Sequence, residues 1–496
     1  MDWLDNKKIS VEFTGLKHYP MNPPYHPSEK YPEYQGTEID ATNEVYGWVR
    51  TLLYNLGLDK ENYGSSEWNP FKEFVQPGMT VLIKPNTVRH YHLDGKDIFS
   101  IVIHASVLRP VLDYVEIALK GEGKIIIGDS HTLWADSEAA FKVSKIDPVV
   151  TWFRNKSEIP IELLDLRMVR AGRTIFGGGW NRPKVEQDPL GYVMVDLGER
   201  SYFHGIDHTK LRLAVAGSKD LSKHHNEKTH EYLFPKSVLA ADVIISIPKL
   251  KTHRRNCITM NMKSFIGLPA LKSCLPHYRL GALEEGGDEY LYPSLRKRFH
   301  SYIQDEIYNT TFTPLQAVYS VLRKLTRESG RIIPFKDDIF EAMWYHNDTT
   351  WRTVLDAYYC AMFADKEGQI QDTPQRNHFC ILDGIVGGEK NGPISTDPVY
   401  PGVLLAGFDV AVMDAVASAL MGFDIDRIPS VKHGLELTDK LWPIDGGSRK
   451  NIEVIDSGES MNFEQFEDHR SLDFEPHPDW KGHVERSLRK SALHNS

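Results

Sequence analysis

At 496 residues the chain has length for about three domains, or for one large α/β unit with insertions and a sizeable core. A formal charge of −10 with no Lys/Arg run excludes the basic footprint of a nucleic-acid-binding protein, so no nucleic-acid partner is expected. Four widely spaced cysteines, Cys257, Cys274, Cys360 and Cys380, form neither a disulfide framework nor a Cys-x-x-Cys metal knuckle. Met1 to Lys8 lacks the apolar stretch of a signal peptide, and no apolar run approaches a membrane span. These features predict a cytoplasmic protein without membrane insertion, and leave its oligomeric state open.

Residues 1–77 are predicted to form an N-terminal arm and a helix packed on the core. Pro and Tyr crowd the stretch from Tyr19 to Tyr25, and between Thr42 and Leu56 the residues Val45, Trp48, Val49 and Leu52 keep a helical 3–4 spacing. The core is predicted over 78–430. Its first strand follows Gly78 and stops abruptly at Pro85, whose missing N–H cannot extend a central ladder. Ser106 can cap a helix whose stripe is Leu108, Val111, Leu112, Val115 and Leu119, and Lys124 to Gly128 is the next strand of a βαβ unit. An insertion at about 134–236 carries short alternating strands (Gly191 to Leu197, Leu211 to Val215) and exposed loops with His204, His208, His224, His225 and His230. Asp242 to Ile247 has β-branched residues without alternation, the signature of a parallel strand buried on both faces. A second insertion at about 284–345 is a charged helical excursion bearing Leu315, Val318, Val321 and Leu322. The core resumes at Phe379, passes a Gly-rich turn from Gly384 to Gly388, a strand from Val403 to Gly407, and a helix from Val410 to Leu420 capped by Asp409 and stopped by Gly422. Residues 431–496 are predicted to be a peripheral C-terminal arm. The fold class is α/β: a mainly parallel sheet flanked by helices, with inserted antiparallel and helical segments.

Such sheets bind ligands outside the carboxyl ends of their strands, which points to the loops after Ile83, Gly128, Ile247 and Val386. The run from Ile247 to His253, followed by Thr259, Lys263, Gly267 and His277, gathers cations at one strand end. Lys263, flanked by Met262 and Phe265, is the candidate nucleophile or general base, because desolvation and neighbouring positive charge disfavour an ammonium. The other reading, which an acidic chain with a basic strand end favours, is that Lys249, Lys251 and Lys263 form an anion clamp for phosphate or carboxylate. His253 and His131 are candidate proton-transfer groups, or core imidazoles satisfied by hydrogen bonds. Lys84, Asn86, Arg89, Lys249, Lys251, Thr259, Asp383, Glu389 and Asn391 are the candidate contacts to a small anionic ligand. Asp383 and Glu389 flank the glycines and serve either turn formation or ligand contact. Asp414, five residues beyond the capping Asp409, can face the sheet edge.

Four blocks, in chain order, carry a family resemblance: Val81-Leu82-Ile83-Lys84-Pro85-Asn86; Pro248-Lys249-Leu250-Lys251-Thr252-His253 with Thr259, Lys263 and Gly267; Asp383 to Glu389 with Asn391-Gly392-Pro393; and Asp409-x-Ala411-x-x-Asp414-Ala415. They resemble the family called domain of unknown function 362, over roughly Gly78 to Pro429. Many of its members look like iron–sulfur proteins because a ferredoxin-like cysteine cluster is appended. This chain has no Cys-x2-Cys-x2-Cys run, so an iron–sulfur cluster is not expected. A second resemblance is to nickel-pincer lactate racemase. Lys263 lies ten residues after His253, and His277 fourteen further on, similar to a His…Lys…His arrangement in which the Lys carries the cofactor and the second His ligates nickel. Gly128-Asp129-Ser130-His131 is similar in placement to the turn with that enzyme's other acid–base His, and Arg89 to its anion-binding Arg, whereas Lys84-Pro85-Asn86-Thr87 replaces its Asp-His-Thr-Arg-Pro signature. This likeness implies a nickel-type or other metal cofactor with His277 as metal ligand. The resulting expectation is an enzyme, an oxidoreductase or isomerase, acting on a small anionic substrate with a hydroxyl or carbonyl group. The alternatives are a non-catalytic ligand-binding or scaffold protein of a biosynthetic pathway, and an electron-transfer protein.

Overall fold

In the computed structural model, which describes residues 3–173, 180–181, 183–213, 217–310, 312–328 and 339–486, twelve strands join in one sheet. They are β1 (Lys8–Phe13), β2 (Thr80–Pro85), β3 (Lys124–Asp129), β4 (Ile161–Asp165), β5 (Val243–Ile247), β6 (Lys249–His253), β7 (Cys257–Thr259), β8 (Asn377–Asn391), β9 (Ser395–Val399), β10 (Val403–Gly407), β11 (Glu453–Asp456) and β12 (Glu459–Asn462). The spatial order is β12-β11-β1-β10-β8-β5-β2-β3-β4, with β6 and β9 also paired to β8, and β7 to β6. Every neighbouring pair from β8 through β5, β2 and β3 to β4 is parallel, whereas β10 is antiparallel to both β8 and β1. The sheet is mixed and mainly parallel.

The helices used below are α1 (Glu44–Asn55), α2 (Ala105–Leu119), α3 (Asn261–Ser264), α4 (Leu295–Asn309), α5 (Thr313–Glu328), α6 (Thr350–Phe363), α7 (Val410–Leu420) and α8 (Pro429–Leu441). Successive strand residues point to opposite faces, so each central strand feeds two cores. Val81, Ile83, Ile125, Ile127, Val243 and Ile245 pack with α1 and α2. Leu82, Ile126 and Ile244 pack on the other face with α6, α7 and α8. This double burial is the reason those strands lack polar alternation. The β2–α2–β3 segment is the expected βαβ unit, although His104 rather than Ser106 caps α2, its Nδ1 accepting the Ser106 N–H at 3.2 Å. Asp409 caps α7 as anticipated, accepting from the Ala411 and Val412 N–H groups at 2.9 and 3.0 Å.

The chain departs from the expected outline in four places. First, both ends contribute to the sheet: β1 lies between β10 and β11, and the segment foreseen as a peripheral arm supplies β11 and β12. The buried pair Ile9 and Val11 anchors β1, a short alternation that its polar surroundings conceal. Second, Gly384 to Gly388 forms no turn but the middle of the long strand β8. The glycines admit close neighbours there: a Cβ at Gly384 would stand 2.8 Å from Val403 Cγ1, and one at Gly388 2.6 Å from Thr396 Oγ1. Third, Lys249 to His253 is strand rather than loop. Pro248 ends the pairing with β2, and β6 continues along the far half of β8, with Lys249 opposite Asp383 and Lys251 opposite Gly388 across a register irregularity. Fourth, His225 and His230, anticipated in exposed loops, are buried with their Nδ1 atoms 3.2 Å apart. The expected strand from Leu211 is seen only over Leu211–Arg212, where it pairs with Tyr278–Arg279, and Val215 lies outside the described residues.

Candidate functional site

The carboxyl ends of β2, β3 and β5 lie side by side, and with β6, β7 and α3 they enclose a cavity of about 240 Å3. At its β2–β3 wall Lys84 and Asp129 form a buried ion pair at 3.0 Å. Asp129 also accepts from the Thr87 N–H and hydroxyl at 2.8 and 2.9 Å. Burial pushes the Asp129 carboxyl up, but Lys84, His131 and the Thr87 N–H more than offset this, and it stays below its ordinary value. Gly267 passes so close that a Cβ there would be 2.5 Å from Lys84 Nζ and 2.6 Å from Asp129 Oδ1, so the position needs glycine for packing.

The cavity is lined by many cations and one carboxylate. Lys251 Nζ donates to the Ile101 carbonyl at 2.5 Å and to Asn86 Oδ1 at 3.2 Å, and burial together with Lys249 and Lys84 holds its pKa well below the usual lysine value. Opposite it on β7, the buried Thr259 hydroxyl has no hydrogen-bond partner among the described residues. Lys263, on α3, keeps partial exposure, makes no hydrogen bond or ion pair among the described residues, and is lowered from 10.5 to about 7 by burial and then by Arg255. Lys272 is likewise lowered to about 7, mainly by burial, with its Nζ donating to the Ile266 carbonyl at 3.1 Å. The helix carrying Lys263 is fastened from the α7 side: Asp414 accepts the Asn261 and Met262 N–H groups at 2.6 and 3.0 Å, and burial raises its carboxyl to about 7.

Two histidines line the same cavity with opposite proton placements. His253 Nδ1 lies 3.0 Å from the Arg255 backbone nitrogen and 3.1 Å from that of Asn256. Both are N–H donors, so Nδ1 must be the acceptor and the ring proton sits on Nε2. His277 Nδ1 lies 2.6 Å from the Leu275 carbonyl, which only accepts, so Nδ1 carries the proton and Nε2 the lone pair. Burial keeps both rings neutral, helped by Lys263 and the arginines for His253 and by Arg255 and Lys263 for His277, which is lowered to about 3.

Of the sequence-derived candidates, Lys84, Asn86, Arg89, Lys251, His253, Thr259, Lys263 and His277 share this cavity. Arg89 stacks on Tyr91, its guanidinium 4.0 Å from the ring centre, and its Nε is buried without a partner among the described residues. The other candidates stand elsewhere. Lys249 is fully buried against Asp383 at 3.0 Å and the Tyr19 hydroxyl at 2.6 Å, so its charge is already matched inside the protein. Asp383 in turn accepts from Tyr19 and from the His104 N–H, a structural role. Glu389 accepts the Glu475 N–H at 2.9 Å, and Asn391 is exposed at the end of β8. His131 is buried and does not line the cavity, its Nδ1–H donating to the Thr87 carbonyl at 2.7 Å and its Nε2 left without a partner among the described residues. Asp129, Lys272, Arg254 and Arg255 also line the cavity and were not singled out from sequence. For Lys272 a signal existed: it is the only charged residue between Ser264 and Pro276. Among the described residues, no group of three or more His, Cys, Asp or Glu side chains is arranged to hold a metal ion by itself.

The fold and cavity define an α/β protein with a cationic pocket at parallel strand ends. Residues 204–419 match the family model described as Domain of unknown function (DUF362), so this segment is similar to that family. The matched segment contains Lys251, His253, Lys263, Lys272 and His277, while Lys84, Arg89 and Asp129 lie upstream of it. A crystal structure of a protein from Thermotoga maritima aligns with 78% of this chain and 58% of that one at 11% identity, with a TM-score of 0.26, a likeness that carries no functional argument. This chain therefore spans less than two thirds of that protein. Comparison with curated proteins found no match.

Proposed function

We propose that the chain is an enzyme that moves a proton on a small anionic substrate bearing a hydroxyl or carbonyl group. The observation that supports this most is the pairing, in one cavity, of an unpartnered lysine amine lowered to about 7 with a histidine whose Nε2 lone pair is available. In this reading Lys251, Thr259 and Arg89 bind the anion. Lys263 takes the proton, since an amine lowered to about 7 is partly unprotonated at neutral pH yet still basic, and the His277 Nε2 lone pair accepts a hydrogen bond from the substrate hydroxyl. His253 has a different part from the proton shuttle expected of it. Its Nδ1 is committed to two backbone donors, so it offers Nε2–H to a carbonyl oxygen as a fixed neutral donor. His131 supports the Asp129 loop.

A cofactor on Lys263 is a second reading, favoured by the free amine and by the His277 lone pair beside it. A metal would then need an organic group to complete its ligands, since the side chains of the described residues alone do not. Lys263 would anchor the group, His277 would ligate the metal, and the group would add redox chemistry to the proton-transfer groups. Intact mass of protein from its native host checks this: an added mass on Lys263 is expected, and an unmodified chain in active protein contradicts it.

The proton-transfer reading is tested in two steps. Titrating inorganic phosphate or glycolate should raise the melting temperature of the wild type, and the rise should shrink in Lys251→Ala. Lys249→Met should melt lower, by roughly 3–5 kcal/mol in stability because Asp383 loses its buried partner, yet keep the ligand-induced rise. Next, the protein is incubated with a series of 2-oxo and 2-hydroxy acids in deuterated water and C–H exchange is followed by NMR. Wild type should exchange at least one acid and Lys263→Arg should not, since a guanidinium cannot deprotonate. Ligand-induced stabilisation without exchange in any acid would make this a ligand-binding protein instead.

A further inference from the structure

The α4–α5 hairpin turns the wrong face outward for a helix that serves only the fold. The α5 helix meets α4 through polar side chains: Arg323 donates to Gln304 Oε1 at 2.7 Å, the Thr326 hydroxyl lies 2.9 Å from His300 Nδ1, and the buried Gln316 donates to the Thr310 carbonyl at 2.7 Å. No apolar side chain of α5 joins a hydrophobic core among the described residues. Its apolar stripe faces solvent instead, with Val318 at 54%, Val321 at 59% and Leu325 at 59% exposure. Leu315 continues the stripe, Phe312 extends it before the helix, and Phe299 and Tyr302 of α4 are exposed as well. A solvent-facing stripe of this size marks an interaction surface rather than ordinary scatter.

Charge indicates what covers it. From Leu295 to Glu328 Lys and Arg are twice as numerous as Asp and Glu, in a chain whose formal charge is −10; Lys297 is buried and Arg298 pairs with Glu285, so the outward charge is that of α5. The exposed charged residues of α5 are Lys324 and Arg327, beside Leu325. A second copy would bring one basic hairpin against another. An amphipathic helix that is mostly polar, with apolar residues on one side and Lys/Arg at its edge, instead fits the interface of an anionic bilayer, where the apolar stripe enters the headgroup boundary and the cations meet lipid phosphates. No described helix is long and apolar enough to cross a membrane, so the contact is in the plane of the surface. We propose that α4 and α5 dock this protein on anionic lipid membranes.

The test is co-sedimentation of the full chain with vesicles of phosphatidylcholine alone or of equimolar phosphatidylcholine and phosphatidylserine. Wild type should sediment with the anionic vesicles, not with the neutral ones, and release as salt is raised. Two double variants at exposed positions separate the contributions without touching a core. Val318→Ser/Val321→Ser should lose most of the binding, and Lys324→Gln/Arg327→Gln should weaken it about tenfold or more. Unchanged melting temperatures would exclude misfolding as the cause. Failure to sediment with either vesicle overturns the proposal. So does a self-association in analytical ultracentrifugation that Val318→Ser/Val321→Ser abolishes, because that would assign the stripe to a second copy.

Discussion

Lys263 is the residue whose environment has the sharpest consequence. An amine that ionises at 10.5 in the unfolded chain and at about 7 in the folded one binds a proton more readily when unfolded. Between those values stability therefore rises with pH, while below about 7 the full cost of charging a desolvated lysine is present. The stability of the wild type should increase relative to Lys263→Met as pH goes from about 7 towards 10, measured by denaturation of both proteins across that range. Parallel pH profiles would show that Lys263 has an ordinary pKa. The neighbouring residues illustrate what one sequence can disclose. Lys263 and His253 follow a recognisable buried strand, so their place at a strand end is legible. That Lys249 faces inward to Asp383 while Lys251 faces the cavity is not, because it depends on the register irregularity between β6 and β8 and on Tyr19 arriving from the N-terminal segment.

At the scale of elements, α3 is a single turn and owes its position to Asp414 on α7. Removing that carboxylate leaves two buried N–H groups without acceptors, at a cost of about 1–3 kcal/mol each. Asp414→Ala should lower stability by that order and should also weaken the ligand-induced stabilisation described above, because Lys263 rides on α3. A loss of stability with an unaltered ligand response would separate α3 from the site. The elements differed in how far their residues announced them. β2, β3 and β5 were legible because burial on both faces leaves unbroken apolar, β-branched runs. β8 was not, because its glycines look like a turn when their tight packing against Val403 and Thr396 cannot be seen.

For the molecule as a whole, the two chain ends close the sheet. β1 depends on β11, and the short helix after β12 inserts Phe466, fully buried in the larger core. Phe466→Ala should cost about 3–5 kcal/mol in chemical denaturation, whereas a peripheral arm would tolerate it with almost no change. The overall architecture was readable from its parallel centre outward, and became unreadable where short strands alternate among polar residues. The cationic cavity in an acidic chain is likewise a property of the whole: it gathers side chains from β2, β6 and α3 together with Lys272, and only assembly of the sheet brings them within reach of one ligand.

The most direct test of the site is the reactivity of Lys263 itself. Competitive acylation of lysines, followed by mass spectrometry at a series of pH values, reports the ionisation of each amine. The site described here predicts a midpoint for Lys263 near 7 and protection when phosphate or glycolate is bound. A midpoint near 10.5, with no protection by either anion, would contradict it.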